Sequence, residues 1–141
     1  MIMDFIVKPY QCVGEYVFGM MRESIQETMG EPLSSVNYGY PISDRYLDDY
    51  GFLYMLFSNK SVLEAIQIFP EYTDDDIFLV YGDVRVSLKA DLEETMTNFQ
   101  RLSDDFIYEE DTYSSIKLGM KIFCPEDCIE NIIIFDKHYY D

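Results

Sequence analysis

Three segments recur in the same order at nearly one spacing, and this limits the possible folds more than any other feature of the chain. Ser24-Ile25-Gln26-Glu27-Thr28-Met29 matches Asp91-Leu92-Glu93-Glu94-Thr95-Met96 at an offset of 67. Tyr50-Gly51-Phe52 matches Leu118-Gly119-Met120 at 68, and Leu63-Glu64-Ala65-Ile66-Gln67-Ile68-Phe69 matches Ile129-Glu130-Asn131-Ile132-Ile133-Ile134-Phe135 at 66. Such spacing predicts two copies of one supersecondary unit, about residues 1–70 and 71–141, sharing a core within a single domain over residues 1–141.

The elements of each unit are readable. Met21, Ile25 and Met29 share a helical face, Gly30 is a stop and Pro32 follows. In the second copy Ser87 is placed to cap a helix that continues through Leu88, Leu92, Met96 and Phe99. Strands are expected at about 52–58 and 62–69, joined by Asn59-Lys60-Ser61, and at about 120–124 and 129–135, joined across Pro125-Glu126-Asp127. Further strands fit 44–50, 113–118 and 105–109. The expected class is α+β: two tandem helix-plus-antiparallel-meander repeats forming one sheet, with helices on one face.

Alternation assigns the sheet faces. Ile66, Ile68, Ile132 and Ile134 share one parity with Met120, Ile122 and Cys124, and belong to the core. The other parity holds Ala65, Gln67, Asn131, Ile133, Lys121 and Phe123, so that face should be open and suited either to a protein partner or simply to water.

Charge narrows the partners. With 27 Asp and Glu against 10 Lys and Arg the net charge is −17, so phosphate backbones repel the chain and direct nucleic-acid binding is excluded as an expectation. An apolar content of 48%, with 13 Tyr and 10 Phe, is too high for a disordered acidic tail. The excess is uneven: residues 71–111 carry 13 acids and 3 bases, more than half of the total. Tyr72, Tyr81, Tyr108 and Tyr113 interleave with or flank these acids and offer rigid contact area. The pattern points to a basic protein partner, or to solubility alone.

Catalytic and metal chemistry find little support. His138 is the only histidine and lies near the C-terminus, where it reads as a surface or packing residue. The runs Asp74-Asp75-Asp76 and Glu109-Glu110-Asp111 lack the spacing of an EF-hand loop. Cys12, Cys124 and Cys128 are an odd set without a second Cys/His pair for zinc, and suit a reducing compartment. No signal-like start and no apolar run near the roughly 20 residues of a membrane span appear, so the expected address is the cytoplasm, without membrane or cofactor.

The stretch Val17-Phe18-Gly19-Met20-Met21-Arg22-Glu23-Ser24-Ile25-Gln26-Glu27-Thr28-Met29-Gly30-Glu31-Pro32 resembles the element Gly-Met-Thr/Ser-x-Glu-x-Val-x-x-x-Leu-Gly-x-Pro. That element opens the repeat of the β-lactamase inhibitor protein-like fold, also used by small outer-membrane assembly lipoproteins. The closing Phe135-Asp136-Lys137-His138-Tyr139-Tyr140-Asp141 is similar to the tail of small two-repeat bacterial proteins of that type. Met21 departs from the usual capping Ser or Thr, and Arg85-Val86-Ser87-Leu88 replaces the Gly-Met element in the second copy.

The resemblance implies an immunity protein of a contact-dependent growth inhibition or other polymorphic toxin system. Such a protein is a non-enzymatic inhibitor that covers a basic nuclease or tRNase toxin domain. Contacts are expected at Asp104, Asp105, Tyr108, Glu109, Glu110, Asp111 and Tyr113, then at Gln67, Lys117, Lys121 and Phe123. An inhibitor or adaptor of another enzyme, or a carboxylate-rich metal- or ligand-binding protein, are the alternatives.

Overall fold

A computed structural model describes residues 1–140. The strands of the first half are β1 (Ile2–Lys8), β2 (Cys12–Val13), β3 (Tyr16–Val17), β4 (Ser34–Asn37), β5 (Tyr46–Asp49), β6 (Leu53–Phe57) and β7 (Leu63–Ile68). Those of the second are β8 (Asp76–Tyr81), β9 (Val84–Ser87), β10 (Ile107–Glu109), β11 (Thr112–Ser115), β12 (Met120–Phe123) and β13 (Asn131–Phe135). The helices are α1 (Arg22–Met29) and α2 (Leu92–Leu102), so the class is α+β, with β predominant.

The expectation of one sheet is corrected to two. Eight antiparallel strands order as β10-β11-β12-β13-β7-β6-β5-β4, and five more form a second sheet ordered β3-β2-β1-β8-β9. The small sheet exists because β1 and β8 alternate. Met3, Phe5 and Val7 turn inward with Ile77, Leu79 and Tyr81, while Ile2, Asp4 and Ile6 turn to water. β1 and β8 pair in parallel, Met3 opposite Ile77 and Phe5 opposite Leu79.

In the large sheet the two halves of the chain meet at β7 and β13. Ile66 lies opposite Ile134 and Ile68 opposite Ile132, all at 0–1% exposure, so the predicted parity of the buried face holds. Ile25 of α1, Met96 and Phe99 of α2, and the inward residues of both sheets form one cluster. Gly51 and Gly119, the centres of the matched triplets, both have positive φ, at 94° and 62°. At Gly119 a Cβ would lie 3.0 Å from the Tyr10 ring and 3.2 Å from the Phe135 carbonyl oxygen, so a side chain there is strained both by its backbone angle and by close contacts.

The second helix starts later than expected. Ser87 stays in β9 opposite Phe78, and Leu88 lies in the bend that follows, its N–H donating to the Ile77 carbonyl. Leu88 is buried in the main cluster ahead of the helix, and Asp91 caps α2 instead, its side chain accepting from the Glu94 N–H at 2.9 Å. Met21 precedes α1 without a side-chain cap.

Candidate functional site

The acid-rich segment folds into a surface rather than a pocket. Asp91, Glu93 and Glu94 occupy the first turn of α2 and its cap, all exposed, where a helix N-terminus favours carboxylates. The β10–β11 hairpin follows α2 in the chain, and its turn residues Glu110 and Asp111 have φ of 51° and 63°. A groove of about 610 Å³ beside α2 is lined by Asp91, Glu93, Met96, Gln100, Tyr113 and Asp127 among others, while Glu109 and Glu110 line a separate depression with Thr112, Ser114 and Lys121.

Aromatic packing stiffens the hairpin. The rings of Tyr108 and Tyr113, directly opposite each other in the ladder, meet edge to face at 4.6 Å. Tyr108 donates its hydroxyl to Asp111 at 3.1 Å, and this bond pushes the phenol's pKa up. Tyr113 reaches the main cluster, whereas Glu109, Glu110 and Asp111 face solvent. The side-chain ion pairs among the described residues are Arg22–Asp48, Arg45–Glu64, Arg85–Asp4 and Lys117–Asp104, and none of them neutralises this hairpin.

Asp104 and Asp105 sit before β10 and play different parts. Asp104 is exposed and pairs with the Lys117 ammonium at 2.9 Å. Asp105 is bound inward, accepting from Ser103 Oγ at 2.5 Å, Ser115 Oγ at 2.6 Å and the Lys117 N–H at 2.9 Å. Desolvation pushes its pKa up, but these hydrogen bonds outweigh that and bring it down to about 2. Asp105 thus pins the β11–β12 turn, and its carboxylate is committed within the fold.

Gln67, Lys121 and Phe123 share the outer face of the large sheet, as their parity predicts. Lys117, expected with them, lies instead in the β11–β12 turn beside Asp104, because β11 ends at Ser115. The face is also less open than expected. Leu56, Ala65 and Phe135 are buried there in a second cluster with Tyr10, Leu47, Tyr54, Ile133 and Tyr139. The C-terminal tyrosines cover its centre: Tyr140 stands edge-on to Phe135 at 4.9 Å, and the Lys121 ammonium lies 4.4 Å from the Tyr140 ring centroid. Gln67 donates its amide to Asn131 at 3.0 Å.

Two features escaped the sequence reading. The α2 carboxylates fell within the charge census but were not singled out, although Asp91 followed three residues later by Glu94 is the pattern of an acidic cap. The second is Asp48, fully buried beneath α1. It accepts from Arg22 Nε at 2.9 Å and Nη2 at 2.7 Å, from Gln26 at 3.0 Å and from Ser35 Oγ at 2.7 Å. The three cysteines are free thiols, Cys124 buried and Cys128 exposed; burial raises the pKa of Cys124 and nearby Asp111 and Asp127 add to the rise. Among the described residues no group of three His, Cys, Asp or Glu is placed to hold a metal ion, and no helix is long and apolar enough to cross a membrane.

No protein-family model matches the chain, and neither a curated protein nor a solved structure matches it.

Proposed function

We propose that this chain is a cytoplasmic immunity protein, built from two copies of one unit, that binds and neutralises a basic nuclease or tRNase toxin domain. The observation that carries the reading is the exposure of two acidic clusters, one at the first turn of α2 and one at the β10–β11 hairpin. Asp91, Glu93 and Glu94 are exposed at the start of α2, beside a groove with Met96 and Tyr113 in its wall, and Glu109, Glu110 and Asp111 are exposed at the end of the hairpin. A cationic substrate-binding surface would be drawn to such a field, and steering of this kind raises association rates by about 10- to 1000-fold at low salt. Covering that surface denies it to an anionic substrate without any catalytic step. Tyr108 and Tyr113 add rigid aromatic area that costs little entropy to dock.

The duplicated architecture is supported by the order of elements. In each half a short β-hairpin region precedes a helix, and a four-stranded antiparallel meander follows, β4 to β7 and β10 to β13.

Co-expression with the adjacent reading frame tests the function. A neighbouring toxin that kills alone should be silenced by this protein, and continued killing in its presence refutes the reading. In the purified complex, Glu109→Lys/Glu110→Lys/Asp111→Lys should slow association at least ~10-fold at low salt, with an unchanged circular dichroism spectrum. A wild-type association rate that is insensitive to salt removes the steering argument.

A further inference from the structure

The two edges of the large sheet are built in opposite ways. β10 is flanked by the exposed acids Asp104, Glu109, Glu110 and Asp111, the kind of charge that keeps an edge strand from pairing with another chain. β4 has none of this. It lies within residues 32–43, the longest run in the chain without Asp, Glu, Lys or Arg. The same segment carries Leu33 at 79% exposure, Val36 at 54%, Tyr40 at 77% and Ile42 at 94%. On a chain of net charge −17, this is the stretch where a second copy can approach with the least repulsion.

We propose that β4 is a self-pairing edge, joining two copies of this chain antiparallel across a two-fold axis at Val36. The ladder fixes that register. The Tyr38 N–H donates to the Arg45 carbonyl at 2.8 Å, and bonded positions alternate along an antiparallel pair. Val36, opposite Leu47, therefore bonds inward to β5, while Ser35 and Asn37 turn their backbone groups to the free edge. An axis normal to the sheet and passing through Val36 sets Ser35 of one copy against Asn37 of the other, twice, so every outward group finds a partner. It also keeps the inner face continuous with the inner face, and stacks Val36 on Val36 on the outer side. Leu33 of each copy then lies beside Gly39 and Tyr40 of the other. Pro32 and Pro41 bound the paired segment. The surface is distinct from the acidic one and does not depend on the proposed function.

An interface of this length is small, so the dimer is expected at the weak end, between about 1 μM and 1 mM. Sedimentation equilibrium of the full chain across that range should show the mass rising from 16.7 kDa toward twice that value. Val36→Glu, at an exposed position, should hold the chain monomeric throughout with an unchanged circular dichroism spectrum. Val36→Cys in a Cys128→Ser background should form an interchain disulfide under mild oxidation, since residues opposite each other at a non-bonded site bring their Cβ atoms close. Ile107→Cys on the charged edge, in the same background, should cross-link at least ~10-fold more slowly. A wild-type chain that stays monomeric over the whole range overturns the proposal. So does a dimer that Val36→Glu leaves intact, or equal cross-linking from both edges.

Discussion

Replacing Asp48 with Asn is the sharpest test of how the first half of the chain is held. The carboxylate is fully buried and receives four hydrogen bonds, two of them from one guanidinium in a forked arrangement. Arg22 also lies over the Tyr46 ring at 4.3 Å, so the cation is sandwiched between its counter-ion and an aromatic face. Asparagine keeps the shape but removes the charge and turns one acceptor into a donor aimed at Arg22 or Ser35. Breaking a buried pair by altering one partner costs about 3–5 kcal/mol. The Arg22 side chain is 22% exposed and retains some hydration, which places the expected loss at about 2–4 kcal/mol.

Urea denaturation followed by circular dichroism reads this directly. With a slope of about 2 kcal/mol per molar urea, the midpoint should fall by ~1–2 M with the slope unchanged. Acid should erode the same stabilisation. Burial pushes the Asp48 pKa up, but hydrogen bonds from Arg22, Ser35 and Gln26 together with the Arg22 charge outweigh it and hold it below its ordinary value. The stabilisation is then complete above the ordinary carboxylate pKa of about 3.9 and fades as pH falls through the lowered folded value, so the wild-type advantage must shrink in acid. A double variant, Arg22→Met/Asp48→Leu, should recover much of the loss, because an apolar pair leaves no charge stranded. A variant Asp48→Asn within about 0.5 kcal/mol of wild type at neutral pH refutes the account.

Asp105→Asn should loosen the β11–β12 turn by about 1–3 kcal/mol at neutral pH, the difference closing between pH ~4 and the folded pKa of about 2, as equilibrium unfolding against pH would show. Tyr81 is buried, with Met120 Sδ 4.0 Å from its hydroxyl, so Tyr81→Phe should change thermal stability by no more than about 0.5 kcal/mol. Phe99 is fully buried and touches the rings of Tyr81 and Phe106 at 6.4 and 6.1 Å, so Phe99→Ala should cost about 3–5 kcal/mol by urea denaturation and release α2 from the sheets.

Where a local pattern reports burial, the sequence reading holds. The alternation around Ile66 and Ile132 identifies the inner face of the large sheet, and Met21, Ile25 and Met29 locate the first helix. The small sheet was invisible for a physical reason. Ile2 and Ile6 are apolar but exposed, so β1 reads without contrast, and its pairing with β8 joins residues 74 positions apart that no local signal connects. Long-range packing likewise holds Leu88 in the core ahead of α2, bonded to Ile77 of β8, rather than on a helix. At the acidic surface, charge density along the chain located α2 and the β10–β11 hairpin. It did not separate Glu109 and Glu110, which face solvent, from Asp105, which serves the fold: exposure is a property of the tertiary structure.

The two seams, β1 beside β8 and β7 beside β13, have a consequence for how the molecule assembles. Both run through sheet interiors, so a chain severed between Thr73 and Asp75 leaves each fragment with two raw interior edges and half of a common core. Neither fragment should fold well by itself, and the two mixed should restore one another, the buried β7 and β13 closing together as a single cooperative event. The molecule is in this sense a reconstitutable pair: its halves are natural candidates for a split reporter whose signal appears only when both are present.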